Sequence, residues 1–297
     1  MNFDRERGFL RRALPGFCCA VLFAGMARGQ EVVAVLGSDI RPYQDAFESF
    51  KKELGIPVQS IIAQGDAVAL PRGTRIVAAF GSRAAQVKYP SHIQLVYGMA
   101  PAGGVRDDRY DHPPVQVEMS PRMEDILQRL LSLQPSLRRL AVLWSSPARA
   151  DEAGQFQTAA SGKMTVLSIR IRDVSELSDK LREIKGSADA IWLLADPFLI
   201  TADNFDIIKQ FSWSNSLPFY CPTEGLVNKG ATASISSSYQ EIGKTLAVVV
   251  RDIQAGVDSP AQVFPAGMQV SLSRASAERT GLKVSDQELG RVEKLKP

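Results

Sequence analysis

Two carboxylates, three serines and a tyrosine stand where apolar runs of this chain stop, and such stops are where an α/β sheet presents groups to a ligand. Asp196 closes the run in "DAIWLLADPF", and Pro197 bars its continuation. Glu224 follows "LPFYCPT", Ser145 follows "LAVLW", and Gly81 with Ser82 follows "RIVAAF". Ser38 follows "VVAVLG", and Tyr43 lies on the amphipathic stretch just beyond it. A carboxylate at a strand end can hold a ligand ammonium or amide hydrogens. A Gly-Ser turn that opens a helix offers free N–H groups to a carboxylate. Asp196 has a second reading, since aspartate commonly caps the turn that follows it. Position alone supports both.

The same survey excludes most covalent chemistry. Asp196 and Glu224 could form an acid–base pair, but no nucleophile with a partner base can be assembled. Cys221, in "LPFYCPTEG", has neither a CxxC partner nor a nearby histidine and reads as a buried packing thiol. His92 and His112 are the only histidines, too few for a histidine-based zinc site. Neither GxxxxGK[ST] nor GxGxxG occurs. The expectation is a binding protein with no catalytic residue, metal or cofactor. Trp192 precedes further apolar residues and reads as core, whereas Trp144 ends its run and suits either core or stacking on a planar ligand.

The elements that must position these residues alternate. "EVVAVLGSD", "IPVQSIIA", "TRIVAAFGS" and "IQLVYG" read as strands, with a helix over "YQDAFESFKKEL" and a short one over 83–87. "APAGGVRDDRYDHPP" is rich in Gly, Pro and Asp and reads as an exposed loop. The alternation restarts at Ser120, a cap, with Pro121 at the first helical position of "PRMEDILQRLLSL". "LRRLAVLWS", "MTVLSIRI", "DAIWLLA", "LPFYC" and "GATASIS" are strands, with helices over "DEAGQFQTAAS", "VSELSDKLREIK" and "NFDIIKQFSW" between them. "YQEIGKTLAVVVRDIQAG" is a long helix closed by Gly256. Continuous Val/Ile/Leu strands alternating with helices predict doubly wound parallel sheets, and the break near 100–118 divides them between two lobes.

The first residues read as an export signal. Four arginines precede "ALPGFCCAVLFAGMA", an apolar run shorter than the roughly 20 residues of a membrane span. "Ala27-Arg28-Gly29" supplies small residues for cleavage, with the mature chain starting near Gln30. The whole chain of 297 residues carries +3, and residues 1–29 hold five arginines against Asp4 and Glu6. The remainder is therefore about neutral, which argues against nucleic acid as a partner.

Order and spacing of several of these motifs resemble the ABC-transporter substrate-binding proteins of the tryptophan/tyrosine-type group. The best-matched stretches are "ADAIWLLADPFL", "LPFYCPTEGLVNKGATASISSSYQEIGKTLAVVV" and "VSLSRASAERTGLKVSD", and "GSRAAQ" resembles the group's Gly-Thr-small-Ala-Ala-Gln turn. The resemblance implies a periplasmic-binding-protein type I fold of two Rossmann-like lobes. The lobes are 30–118 with about 237–262, and 119–236 with about 263–297, after a signal peptide at 1–29. Crossovers fall near Glu118–Ser120, Ile235–Ser237 and Val263–Pro265. It implies a periplasmic or otherwise exported monomer that holds an amino-acid-like solute and delivers it to an ABC permease. A module of the same fold serving a sensor is the alternative. Residue by residue, Ser82 would meet a ligand carboxylate, Asp196 its amino group, and Glu224 would line the cleft. The chain departs from the group at "GMAPAGG" and "SSPARAD", which lack the usual side-chain donors, and at Asp196-Pro197, where an Asp-Asn pair is usual.

Overall fold

A computed structural model describes residues 31–100, 105 and 107–297; the expected signal peptide lies outside them. The first part of the chain runs β1 (Val32–Leu36), α1 (Arg41–Leu54), β2 (Gln59–Ile62), β3 (Ile76–Phe80), α2 (Ser82–Ala85), β4 (Gln94–Gly98) and β5 (Val115–Val117). The second runs α3 (Met123–Leu133), β6 (Arg139–Trp144), α4 (Ala150–Ala160), β7 (Thr165–Arg170), α5 (Val174–Ile184), β8 (Ala190–Leu193), α6 (Ala202–Ser214), β9 (Phe219–Cys221), α7 (Glu224–Val227) and β10 (Ala233–Ser236). The last runs α8 (Tyr239–Gln254), β11 (Gln262–Val263), β12 (Gln269–Ser273), α9 (Arg274–Arg279), α10 (Asp286–Leu289) and β13 (Lys294–Lys296).

Two sheets result. One has the order β11-β5-β4-β3-β1-β2 and is parallel throughout. The other has the order β13-β12-β10-β9-β8-β6-β7, parallel except where β10 meets β12. The predicted α/β doubly wound architecture is present, with one antiparallel pair that the all-parallel expectation omitted.

Each apolar strand divides its residues between two cores, as the two-residue period of a strand requires. Val32, Ala34, Leu36, Ile76, Ala78 and Phe80 face one side of the first sheet, where Phe47 and Phe50 of α1 pack edge-on against Phe80 at 6.1 and 5.6 Å. Val33, Val35, Val77 and Ala79 face the other side. In the second sheet Leu140, Val142 and Trp192 join α3 and α4, while Ala141, Leu143, Ile191 and Leu193 join α5 and α6. Trp192 is core, as expected. α8 covers the first sheet beside α1, and Gly243 permits that approach, because a Cβ there would enter the carbonyl oxygen of Ala46.

The helix expected from Pro121 starts later. α3 begins at Met123 after Arg122, whose extended backbone caps it without a side-chain bond, so Ser120 is no cap. Ser120 and Pro121 instead extend the passage between the sheets. Three such passages lie together. The Glu118 N–H donates to Val263 O at 2.9 Å, which joins the first passage to the third. The Ser238 hydroxyl caps α8 at Glu241 N, and the Glu241 carboxylate accepts from Gly267 N at 3.1 Å, which joins the second to the third.

Candidate functional site

A crevice opens in an α/β sheet where neighbouring strands run to opposite sides of a common strand. In the first sheet that strand is β1, between β3 and β2, and in the second it is β6, between β8 and β7. The sequence-predicted residues stand at these two places. Ser38 follows β1, Gly81 and Ser82 follow β3, Ser145 follows β6, and Asp196 comes shortly after β8.

Both crevices are filled by the protein itself. Tyr43 lays its ring across Gly37 and Gly81, and the space a Cβ would take at Gly81 belongs to the Tyr43 hydroxyl. Gly81 holds φ +98°, a left-handed backbone that glycine adopts without strain. On the second sheet the space goes to Asp196, which is 0% exposed. Its Oδ2 accepts from Ser145 N at 2.8 Å and Ser146 N at 2.6 Å, and its Oδ1 accepts from Phe198 N at 3.0 Å. The structure thus gives Asp196 the turn-capping role and adds a stitch across to the end of β6. As a ligand hook it would need an accessible oxygen, and its carboxylate is enclosed by backbone donors.

The open volume lies elsewhere. A cavity of about 800 Å³ sits between the sheets, walled by both lobes and floored by the passages that join them. The first lobe contributes Arg41, Pro42 and Asp45 from α1, Gln116 from β5, and Tyr239 and Gln240 from the start of α8. The second contributes Arg149, Asp151, Glu152 and Gln155 around the start of α4, Ala195 after β8, and Thr223, Glu224 and Asn228 around α7. Glu118, Ser237 and Phe264 come from the passages. Arg41 lines the cavity with 90% of its side chain exposed, so the space opens to solvent.

Of the predicted residues, Glu224 lines this cavity; Ser38, Tyr43, Gly81, Ser82, Ser145 and Asp196 do not. Glu224 lies between Lys294 at 2.5 Å and Lys296 at 2.7 Å, and hydrogen bonds from these lysines hold its carboxyl below the usual range. Trp144 turns to the edge of the second sheet, where its indole donates to Ser168 Oγ at 2.8 Å and Arg170 lies over its ring.

Sequence reasoning missed the groups at the floor. Glu152 pairs with Arg149 at 3.1 Å; burial raises its carboxyl, Arg149 opposes that rise and Asp196 adds to it. Glu118 is raised by burial and by the charge of Glu152, against the pull of Arg149. Among the described residues Glu118 has no side-chain hydrogen bond or ion pair. The only sequence signal for it was its place at the expected crossover. Cys221 is buried in the second lobe, where desolvation pushes its thiol up to about 12 despite a bond to the Thr223 carbonyl, so it is inert packing. Among the described residues no group of His, Cys, Asp and Glu could hold a metal ion, and no helix is long and apolar enough to cross a membrane.

Comparison with known proteins gives the architecture its relatives. No curated protein sequence matches the chain. Among solved structures, a ligand-free, open substrate-binding protein with adhesive properties from Clostridium difficile superposes with a TM-score of 0.67 at 14% identity, covering 90% of this chain and 99% of that one. An ABC domain from Streptococcus pneumonia in complex with L-Trp gives 0.56 at 14% identity, with 90% and 99% covered. A conserved domain protein from Vibrio cholerae gives 0.55 at 13%, with 89% and 99% covered. These likenesses establish the type I periplasmic-binding fold. A family profile described as "ABC transporter substrate binding protein" matches residues 117–293, more than half of the sequence. The chain belongs to the ABC transporter substrate-binding protein family.

Proposed function

We propose that this protein is an exported, monomeric receptor that captures a small, amino-acid-like organic solute between its lobes and delivers it to an ABC permease. The observation that supports this most is the solvent-open cavity of about 800 Å³, walled by both lobes and floored by three thin passages. A solute there touches both lobes at once and favours their closed arrangement, so binding and shape are linked. The permease reads the shape. No step of covalent chemistry is required, and the protein is not an enzyme.

Residues 1–29 act as a cleaved signal peptide, which places the mature chain in the periplasm or an equivalent exterior space. The first lobe comprises 30–118 with about 237–262, and the second 119–236 with about 263–297. Closure brings the turns at Ser38, Tyr43, Gly81 and Ser82 toward those at Ser145 and Glu224, which completes the wall around the solute. Amino-terminal sequencing of exported protein should begin near Gln30; a product that retains Met1 in the cytoplasm removes the export step.

Small-angle scattering with and without a solute found by thermal shift tests the receptor itself. Saturating solute should reduce the radius of gyration and raise the melting temperature with the logarithm of its excess. A higher melting temperature with an unchanged scattering curve would place the solute within one lobe and refute closure.

A further inference from the structure

We propose that the floor of the interlobe cavity is an amine-recognition site, in which Glu118, supported by Glu152 and Ser237, receives the cationic head of the solute. This rests on the receptor reading and names the chemistry of its ligand.

The charge count points first. The cavity walls carry five carboxylates and three basic groups, and their pairing leaves two acids over, the exposed Asp151 and the half-buried Glu118. Lys294 and Lys296 answer Glu224 on the α7 side. Arg41 reaches Asp45 at 3.8 Å, and Arg149 holds Glu152. Among the described residues Glu118 has no such partner, and the nearby Glu152 shares a single arginine with it.

Ser237 is an independent observation. It lines the same cavity, is 8% exposed, and its buried hydroxyl has no hydrogen-bond partner among the described residues. Buried polar groups in folded proteins are nearly always paired, so an orphan on a cavity wall calls for a ligand or ordered water. A hydroxyl and an unpaired carboxylate on one floor suit an alkylammonium, which donates several hydrogen bonds and carries the compensating charge. Tyr239 lines the cavity with 42% of its surface exposed, and its ring is a further surface for a cation. Phe264, by contrast, already has Arg122 over its face at 5.1 Å.

Desolvation fits as well. Burial and Glu152 hold the Glu118 carboxyl above its ordinary range, and a cation on the floor relieves both effects. Asp196 cannot take this part, because its carboxylate is enclosed by backbone N–H groups.

The test uses the mature protein and a panel matched in shape but not in charge: tryptamine, tyramine, putrescine and choline as cations, tryptophan as a zwitterion, indole-3-propionate as an anion and glucose as a neutral solute. Calorimetry and scattering are run on the wild type, Glu118→Gln and Ser237→Ala, with melting of the unliganded variants as the control for folding. At least one amine or the zwitterion should bind and close the lobes. Glu118→Gln should weaken it roughly tenfold or more, and Ser237→Ala by a smaller factor. Closure with only indole-3-propionate or glucose would overturn the amine site and leave the receptor reading standing. Binding of a cation at equal affinity in Glu118→Gln would overturn it too. If no panel member binds or closes the lobes, the receptor reading fails, and the amine site fails with it.

Discussion

Asp196 and Glu118 are both acids at the edge of a lobe, and the structure separates their work by what surrounds each oxygen. Replacing Asp196 with alanine leaves three partly buried backbone donors without their acceptor, those of Ser145, Ser146 and Phe198. A buried unsatisfied group costs about 1–3 kcal/mol, and with these donors only partly buried the substitution should cost about 1–3 kcal/mol of stability in all. Urea unfolding should show a clearly lower midpoint for Asp196→Ala. An unchanged midpoint would mean that water replaces the carboxylate at no cost.

Glu118 and Glu152 make the opposite prediction with pH. Both carboxyls are raised above the ordinary 4.5, so between that value and their native values the folded protein binds more protons than the unfolded chain. Their contribution is therefore a penalty at neutral pH that is relieved as pH falls through this window. Glu224, held low, contributes in the other sense: its stabilisation is present above 4.5 and is lost as pH falls toward its depressed native value. The unfolding free energy of wild type relative to Glu118→Gln, measured from about pH 7 to about pH 5, should rise as acid is added. A difference that is flat across the range would show that the Glu118 carboxyl is ordinary.

At the scale of elements, the strands whose whole length is apolar were legible. "VVAVL", "IVAAF" and "AIWL" are buried at every position because helices cover both faces of their sheets. The strands β5, β11 and β13 were not, since "VQV", "QV" and "KLK" hold no apolar run. They form because an edge awaits them, and that edge belongs to residues far away in sequence. The site divides the same way. Strand ends marked Asp196 as special, but two of its three partners are backbone N–H groups 50 and 51 residues distant, which no side-chain pattern reports. Glu118 belongs to no motif; only the meeting of three passages makes it a floor.

The α1–α8 contact carries its own prediction. Gly243→Ala drives a methyl group into the Ala46 carbonyl and must push α8 away from the sheet. Overpacking of this kind costs about 1–3 kcal/mol, so the melting temperature should fall by several degrees. A melt equal to wild type would show that the two helices separate freely. Solute binding should also weaken, since α8 brings Tyr239 and Gln240 to the cavity.

The whole molecule is threaded rather than strung. β11 finishes the edge of the first sheet, α8 roofs it, and β12 with β13 finishes the second, so the chain visits the first lobe again after building most of the other. Arg251 on α8 reaches back to Glu53 at 3.2 Å across 198 positions of sequence. During synthesis, the first lobe thus lacks its roof until more than four-fifths of the chain has been made, and the second lacks two strands until the very end. A nascent chain with this wiring has no stopping place at which half of it is finished. Long-range pairing of this kind slows folding, and the delay leaves both lobes unfinished for longer. Under the export proposed above, a late-closing topology would act as a built-in timer.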